Sequence, residues 1–379
     1  MKYKFEELIE SISDTRKINK SEVILINTSD VENGAVLNHK YVKNQNLRGQ
    51  FKKRFKKGDI LYSEIRPKNK RFAYINFDSE DYIASTKLMV LRKKSTLIDN
   101  DYLFYLLKSD SMINKLQMLA ESRSGTFPQI TFDELKRIEV EVPELEQQRK
   151  IIKILVSLDK KIELNNQIND NLLDVLKLKF NNWINNLDEY TISNLSSIAN
   201  YKNGLAMQKY RPINEEGLPV IKIKEMNSGL SSETERCSSN IDEDVIINDG
   251  DVLFAWSGTL CMTIWCNGKA GLNQHIFKVT SEKYPKWFYY FWTMKHLDKF
   301  IQIAAGKATT MGHIKRNELD LSEVLLPNEE EMQKMDKIMK PLLEKYIENL
   351  KENKQLEQLR DTLLPKLMNG EIDLDKIEG

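Results

Sequence analysis

The sequence predicts an α+β protein: two pseudo-repeated mixed α/β domains separated by two long helices that form an antiparallel coiled coil. Three observations predict it. The chain repeats itself with a period near 190 residues, too long for a solenoid and suited to duplication of a whole domain. Each copy mixes short apolar strands with one helix. Each copy then runs through a proline into an acidic helix start with a heptad stripe. The implied segments are 1–143, a first globular domain; 144–187, a helical region; 188–327, a second globular domain; and 328–379, a second helical region.

The repeat rests on named anchors. Gly58-Asp59-Ile60-Leu61-Tyr62 matches Gly250-Asp251-Val252-Leu253-Phe254, and in both a Gly-Asp turn leads into an apolar strand. Ile130 to Pro143 matches Ile314 to Pro327, with Glu134-Leu135 answering Glu318-Leu319. In the first copy Val23–Ile26, Asp59–Ile65, Phe72–Phe77 and Lys87–Arg92 read as strands, and Tyr102–Ala120 as one helix. In the second, Val220–Lys224, Val252–Trp256, Met262–Cys266 and His275–Val279 read as strands, and Lys286–Ala305 as the matching aromatic helix.

The helical regions share one register. Ile151, Leu155, Leu158, Ile162, Asn165, Asn169, Leu172, Leu176, Lys179 and Trp183 step alternately by 4 and 3. Met335, Met339, Leu342, Tyr346, Asn349, Asn353, Leu356, Arg360, Leu363 and Leu367 do the same, 184 residues later. Such a stripe is a coiled-coil seam. Each helix is expected to span about 35–40 residues, ~55–60 Å at the α-helical rise. A helix of that length with one apolar stripe must find a partner, and the nearest is the other copy. In an antiparallel pair Asn165 and Asn169 meet Asn349 and Asn353, where either amide hydrogen bonds fix the register or the seam opens to solvent. Pro341 is expected to kink the second helix or to mark its start.

Composition bounds the function. The 379 residues carry 41% hydrophobic and 30% charged residues with a net charge of only +1. The charge is unevenly placed. Residues 1–143 hold 26 Lys and Arg against 20 Asp and Glu, whereas 328–379 hold 9 against 13. Local charge, not the total, sets the field at a binding face. No apolar run approaches the ~20 residues of a membrane span, and the charged N-terminus is not a secretory signal, so a cytoplasmic protein with no membrane partner is expected. Cys237, Cys261 and Cys266 lack framework or zinc spacing and read as simple thiols in a reducing compartment.

A duplicated α+β domain whose copies each end in a proline and a Glu/Gln-rich long helix resembles the specificity (S) subunits of type I restriction–modification systems. Three stretches carry the resemblance: Val142-Pro143-Glu144-Leu145-Glu146-Gln147-Gln148-Arg149-Lys150-Ile151, Leu325-Leu326-Pro327-Asn328-Glu329-Glu330-Glu331-Met332, and Leu363-Leu364-Pro365-Lys366-Leu367-Met368-Asn369-Gly370-Glu371-Ile372. The resemblance covers essentially the whole chain. It implies two target recognition domains, each reading half of a split double-stranded DNA sequence. It also implies docking of two methyltransferase (M) subunits and of motor and nuclease (R) subunits, in defence against phage. S-adenosylmethionine, ATP and Mg would then sit on the partners, with no cofactor in this chain. The run Asn328-Glu329-Glu330-Glu331-Met332 departs from its first-copy counterpart, which leaves the equivalence of the two docking surfaces open.

A half-site reader needs cations for phosphates and side chains for base edges. The first copy offers Lys52, Lys53, Arg54, Lys56 and Lys57, then Arg66, Lys68, Lys70 and Arg71. Both runs flank the Gly58-Asp59 turn and are expected to converge on one edge. A further loop carries Arg123, Thr126 and Gln129, answered in the second copy by Lys307, Thr309, Thr310 and His313. The second copy adds Gln208, Lys209, Tyr210 and Arg211, with Trp256 and Ser257 in a loop after a strand. Because the reading loops differ between copies, the expected DNA site is asymmetric and bipartite, with the helices as the spacer ruler.

No G-x-x-x-x-G-K-[S/T] loop, G-x-G-x-x-G turn or Asn/Asp-Pro-Pro-aromatic run occurs. His39, His275, His296 and His313 are scattered, and Asp133-Glu134 with Lys136 is an ordinary carboxylate–lysine neighbourhood. A non-catalytic chain with no metal or catalytic residue is expected. Two rival readings are a coiled-coil adaptor without DNA specificity and a self-contained DNA-modifying enzyme.

Overall fold

The computed structural model describes residues 1–47, 49–122, 128–213, 216–231, 233–306 and 312–374. The chain forms two compact units, Met1–Leu158 with Leu359–Gly379, and Asp159–Gln358. Each unit takes in a stretch of both long helices, Leu145–Asn185 and Glu329–Met368.

In the first unit, the chain's start and the globular part's end are tied together. Lys2–Lys4 pairs antiparallel with Glu139–Glu141, and the N-terminal amine donates to the Val142 carbonyl at 2.9 Å. Two four-stranded sheets follow. One has the order Ile9–Ser11, Leu88–Lys93, Ile60–Ser63, Phe72–Tyr74 and is antiparallel throughout. The other has the order Tyr41–Lys43, Glu22–Ile26, Tyr82–Ser85, Phe51–Lys53, with Tyr82–Ser85 parallel to Glu22–Ile26.

The second unit repeats this order strand for strand. Tyr190–Asn194 pairs with Glu323–Pro327. One sheet runs Asn200–Asn203, Ile276–Thr280, Val252–Ala255, Cys261–Ile264, and the other Arg236–Cys237, Leu218–Ile221, Ala270–Leu272, Ile246–Ile247. The parallel pair of that second sheet, Leu218–Ile221 with Ala270–Leu272, falls at the same place.

The central strands explain the unbroken apolar runs. Side chains alternate across a strand, and here both faces are covered. Ile60 and Tyr62 enter one core while Leu61 enters another; Val252 and Phe254 enter one core while Leu253 and Ala255 enter another. The turn before each strand needs a left-handed residue, supplied by Gly58 (φ +91°) and Gly250 (φ +93°). Gly58 donates to the Ile75 carbonyl at 2.7 Å and Gly250 to that of Trp265 at 2.6 Å.

The helices differ from expectation in three places. The single helix expected over Tyr102–Ala120 is two, Asn100–Lys108 and Asp110–Glu121. Ser109 breaks it by adopting an extended backbone and accepting from the Met112 N–H, an N-cap that outcompetes continuation. Pro341 does not mark a helix start, one of the two roles expected of it; it lies exposed inside Glu329–Met368, whose neighbouring Met339 and Leu343 are packed into the core. The strand expected over Val220–Lys224 stops at Ile221, and Ile223–Ser228 is helical, its start held by the Glu225 carboxylate, which accepts from the Lys222 N–H at 3.1 Å.

The long helices lie antiparallel where they meet within each unit. In the first, Ile151 and Leu155 share a core with Leu364, Leu367 and Leu374, which gives the Leu-Leu-Pro-Lys-Leu stretch its packing role. In the second, the 4,3 stripe holds through the asparagines and then gives way. Leu176, Phe180 and Ile184, and Met339, Leu343 and Ile347, are buried at steps of 4, while Lys179 is exposed. There the helices pack on the aromatic helix Lys286–Ala305, with Phe180 5.5 Å from both Phe291 and Trp292. A helix seated on a domain core follows its own 3.6-residue period instead of the supercoil's 3.5. Among the described residues no helix is long and apolar enough to cross a membrane.

Candidate nucleic-acid interface

Each unit builds the same loop junction from distant segments. In the first, Ile65 bridges Gln129, the Arg66 N–H donates to the Pro128 carbonyl at 3.1 Å, and the Ile130 N–H to that of Glu64 at 2.8 Å. In the second, Ser257 bridges His313, the Gly258 N–H donates to the Gly312 carbonyl at 2.8 Å, and the Ile314 N–H to that of Trp256 at 3.1 Å. A third strand end joins both: Glu64 N–H to Lys87 carbonyl at 3.0 Å, Trp256 N–H to His275 carbonyl at 3.2 Å. The backbone frames correspond bond for bond, and the side chains on them differ. Glu64, Arg66, Lys87 and Gln129 stand where the second unit has Trp256, Gly258, His275 and His313. Of the loops next to these junctions, Arg123, Thr126, Lys307, Thr309 and Thr310 lie outside the described residues.

The two basic runs of the first unit do not converge as expected. The hairpin register, Ile60 opposite Tyr74 and Tyr62 opposite Phe72, puts the Gly58 turn at one end and the Arg66–Lys70 turn at the other. Lys56 and Lys57 are exposed near the Gly58 end. Lys52 is exposed on Phe51–Lys53, whose partner strand leads to Thr86 and Lys87 at the opposite end. Lys53 is different in kind: its ammonium donates to the carbonyls of Thr86 at 2.9 Å and Leu88 at 2.8 Å, and burial pushes its pKa down. It ties the two sheets together. Arg54 is half-buried and bridged through its backbone to Asp14.

At the Arg66 end, Pro67–Asn69 form a 3₁₀ turn. The Lys68 N–H donates to Gln117 Oε1 at 3.1 Å, and Lys70 pairs with Asp110 at 3.0 Å. Arg71 pairs with Glu32 at 3.4 Å and reaches the carbonyls of Ser29 and Val31. Lys87 reaches Gln129 Oε1 at 3.4 Å, with Glu64 at 3.8 Å. Arg66 and Lys68 are exposed on this turn, and the pairs made by Lys70 and Arg71 brace it.

In the second unit an open cavity of about 430 Å³ is lined by Gln208, Arg211, Lys222, Ile223, Lys224, Glu235, Asn273, Gln274 and His275. Gln208 and Arg211 were legible as polar loop residues; Lys222, Gln274 and His275 were not, because they come from a strand end and a helix cap distant in sequence. Lys222 pairs with Glu235 at 2.6 Å, which holds the Glu235 carboxyl below its usual range. Lys209 and Tyr210 are exposed beside it. Trp256 is half-buried: its indole N–H donates to Asn203 Oδ1 at 2.9 Å, and its ring lies 5.9 Å from His275 and 5.7 Å from Phe277. It forms a floor under the junction. Ser257 is buried, so its contribution is the backbone bridge.

The seam residues meet within the second unit. Asn165 Nδ2 donates to Asn353 Oδ1 at 2.9 Å, Asn349 Nδ2 to Asn169 Oδ1 at 2.9 Å, and Asn353 Nδ2 to Asn166 Oδ1 at 2.7 Å. Asn165 also donates to Glu352, which pairs with Lys161 at 3.3 Å. Ile162, Leu172, Leu342, Tyr346 and Leu356 are half-buried around them, and Leu158 is half-buried in the first unit.

Gln148 went unnoticed as a site. It is fully buried, donates to the carbonyls of Leu97 and Pro143 at 2.8 Å, and accepts from the Asp99 N–H at 2.7 Å. This is the physical content of the Glu-Gln-Gln stretch: one amide locks the helix start onto the first unit.

Chemistry elsewhere is sparse. Asp133 and Lys136 form an exposed pair, and among the described residues no group of His, Cys, Asp and Glu is arranged to hold a metal. Cys237 and Cys266 are buried thiols, and burial pushes Cys266 up to about 11.

Comparison with known proteins agrees with this architecture. The type I restriction modification DNA specificity domain model matches residues 1–174 and again 188–358. The chain is 27% identical to the type I restriction enzyme HindI specificity subunit of Haemophilus influenzae, over 92% of this chain and 94% of that one. It is 24% identical to the MjaIX specificity subunit of Methanocaldococcus jannaschii, over 85% and 79%. A crystal structure of the type I restriction-modification S subunit from M. genitalium aligns over 97% of this chain and 95% of its own, with a TM-score of 0.52 at 16% identity, a likeness of fold. With a duplicated fold and two family matches that together span most of its length, the chain belongs to the type I restriction–modification DNA specificity subunit family.

Proposed function

We propose that this chain is the non-catalytic, sequence-reading subunit of a type I restriction–modification complex, and that it recognises an asymmetric bipartite site on double-stranded DNA. One observation carries the reading: two units with identical strand order present the same backbone junction, dressed with Glu64, Arg66, Lys87 and Gln129 in one and Trp256, Gly258, His275 and His313 in the other. Like frames with unlike side chains suit two different half-sites. Cations such as Lys68, Lys209 and Arg211 supply phosphate contacts, and amides such as Gln208 and Gln274 suit base edges. The spacer follows from the helices that link the units in the chain, whose register the buried asparagines hold.

Docking of methyltransferase and motor subunits belongs to the same proposal. The first long helix exposes a second apolar stripe, Leu164, Ile168, Val175 and Leu178, on a face away from the asparagine seam. Exposed apolar residues at helical spacing suit a helical partner. S-adenosylmethionine, ATP and Mg then act on the partners.

The test is co-expression with the methyltransferase subunit of the same system, followed by mapping of methylated bases in host DNA. A single two-part motif with a fixed spacer is expected. Methylation without sequence preference favours the adaptor reading, and methylation or cleavage by the pure chain favours the self-contained enzyme.

A further inference from the structure

We propose that Arg66 is a specificity-determining DNA contact of the first unit, held in a left-handed backbone that the second unit gives to glycine. The inference rests on the DNA-reading role above and names the residue and its chemistry.

Among the described residues four non-glycine positions have positive φ: Asn33, Asn46, Arg66 and Lys70. Asparagine tolerates this region; arginine and lysine gain nothing from it, because their Cβ crowds the following carbonyl. Arg66 (φ +46°) and Lys70 (φ +52°) bracket one turn, Pro67–Asn69. The junction identifies the counterpart of Arg66. Its N–H bonds the Pro128 carbonyl as the Gly258 N–H bonds that of Gly312, next to matching bridges. Gly258 has φ +77°. The backbone path thus asks for glycine, and the second unit supplies it. The first unit keeps an exposed arginine there instead. Strain of this kind gathers at working sites and persists there because the surrounding structure over-determines it.

The turn is braced as a seat for that side chain. Pro67 is buried, the Lys68 N–H is held by Gln117, Gln117 is itself buried and donates to Glu121 at 2.7 Å, and Lys70 pairs with Asp110. Gln129 and Lys87 stand beside it. A guanidinium is a planar fork of donors, and its natural partner is a pair of acceptors: the O6/N7 edge of guanine or two phosphate oxygens. The second unit has no side chain at this place, so the two half-sites are read differently here.

The test uses the full chain assembled with its methyltransferase subunit, comparing wild type, Arg66→Gly and Arg66→Ala. Arg66→Gly relieves the left-handed strain, so its thermal midpoint stays level or rises by up to about 3 °C. Arg66→Ala keeps the strain and gains nothing. Both lower methylation of the wild-type motif by about tenfold or more, the scale of one good charged contact. If the partner is guanine, one position in the first half of the motif relaxes while the second half is unchanged. If instead the motif is kept while the rate falls on all sites alike and the salt slope of DNA binding drops by about one, Arg66 contacts phosphate and the specificity-determining role is overturned. The proposal is overturned if both variants methylate the wild-type motif within twofold of normal, or if Arg66→Gly lowers the midpoint by more than ~3 °C, the mark of a structural residue. Should wild type itself mark no two-part motif, the reading of the whole chain fails, and this assignment with it.

Discussion

Asn165 donates its side-chain amide to Asn353 at 2.9 Å across the antiparallel helices of the second unit, and both residues are buried. Apolar seams slide easily, because leucine is content at any neighbouring leucine. A buried amide is not, since every other register strands it without a partner.

The seam is therefore testable by a double-mutant cycle on Asn165→Leu and Asn353→Leu. Each single change removes the bond between the two amides, leaving Asn353 bonded to Asn166 or Asn165 bonded to Glu352, and should lower stability by about 1–2 kcal/mol in urea denaturation. The double change should recover much of that loss, giving a coupling of about 1 kcal/mol or more while loosening the spacer preference of the assembled complex. Additive single effects with an unaltered spacer would remove the asparagines from register control.

Gln148 should behave as a structural lock. Gln148→Leu leaves the Leu97 and Pro143 carbonyls and the Asp99 N–H without their partner. A loss of about 2–4 kcal/mol is expected by chemical denaturation, at the upper end for a buried polar group with several bonds. A change below ~0.5 kcal/mol would mean that the amide is idle.

The basic residues of the first unit should separate into two classes. Lys52, Lys56 and Lys57 replaced together by Ala should leave the thermal midpoint within ~1 °C and flatten the salt dependence of DNA binding, as lost phosphate contacts do. Lys53→Ala should instead lower the midpoint, because its ammonium bonds the carbonyls of Thr86, in a turn, and Leu88, on a buried strand. Equal effects of the two changes on binding and on stability would contradict this division.

His296 gives a pH dependence with a defined sign. Burial holds its pKa below the ordinary 6.5, even though the Glu323 carbonyl accepts from its Nε2. The unfolded chain then binds the proton more readily than the folded one as pH falls through about 6.5 and on to the lower folded value. Stability contributed by keeping this ring neutral is present at pH 7 and declines across that window. Comparing midpoints of wild type and His296→Gln between pH 7.5 and 5 should show a steeper acid decline in wild type; parallel curves would exclude the histidine as a cause.

Much of this fold was legible in the sequence because duplication leaves paired signals. The Gly58 and Gly250 turns, the Ile130 and Ile314 anchors and the two heptad stripes all recur, and a chance feature does not recur in register. What stayed hidden depends on tertiary context. Tyr82–Ser85 and Phe51–Lys53 are too short and too mixed to announce themselves as strands, and exist because a sheet pairs them. Ser109 breaks a helix whose apolar spacing runs straight through it. The stripe loses its seam character beyond Leu176 because the helix sits on a domain core there, a fact no heptad can express. For the candidate site, cationic loops were visible, yet not that Lys53 is spent internally or that Lys222, Gln274 and His275 share a cavity. Charge is read from sequence easily, whereas its orientation comes from the sheet register.

The central claim is that each unit reads its own half of one split sequence. The most direct measurement replaces the second unit's globular part, residues 188–327, with that of a relative of different specificity, and maps host methylation with the methyltransferase present. The account predicts a motif whose one half changes completely while the other half and the spacer persist. A motif that changes in both halves, or in neither, would contradict it.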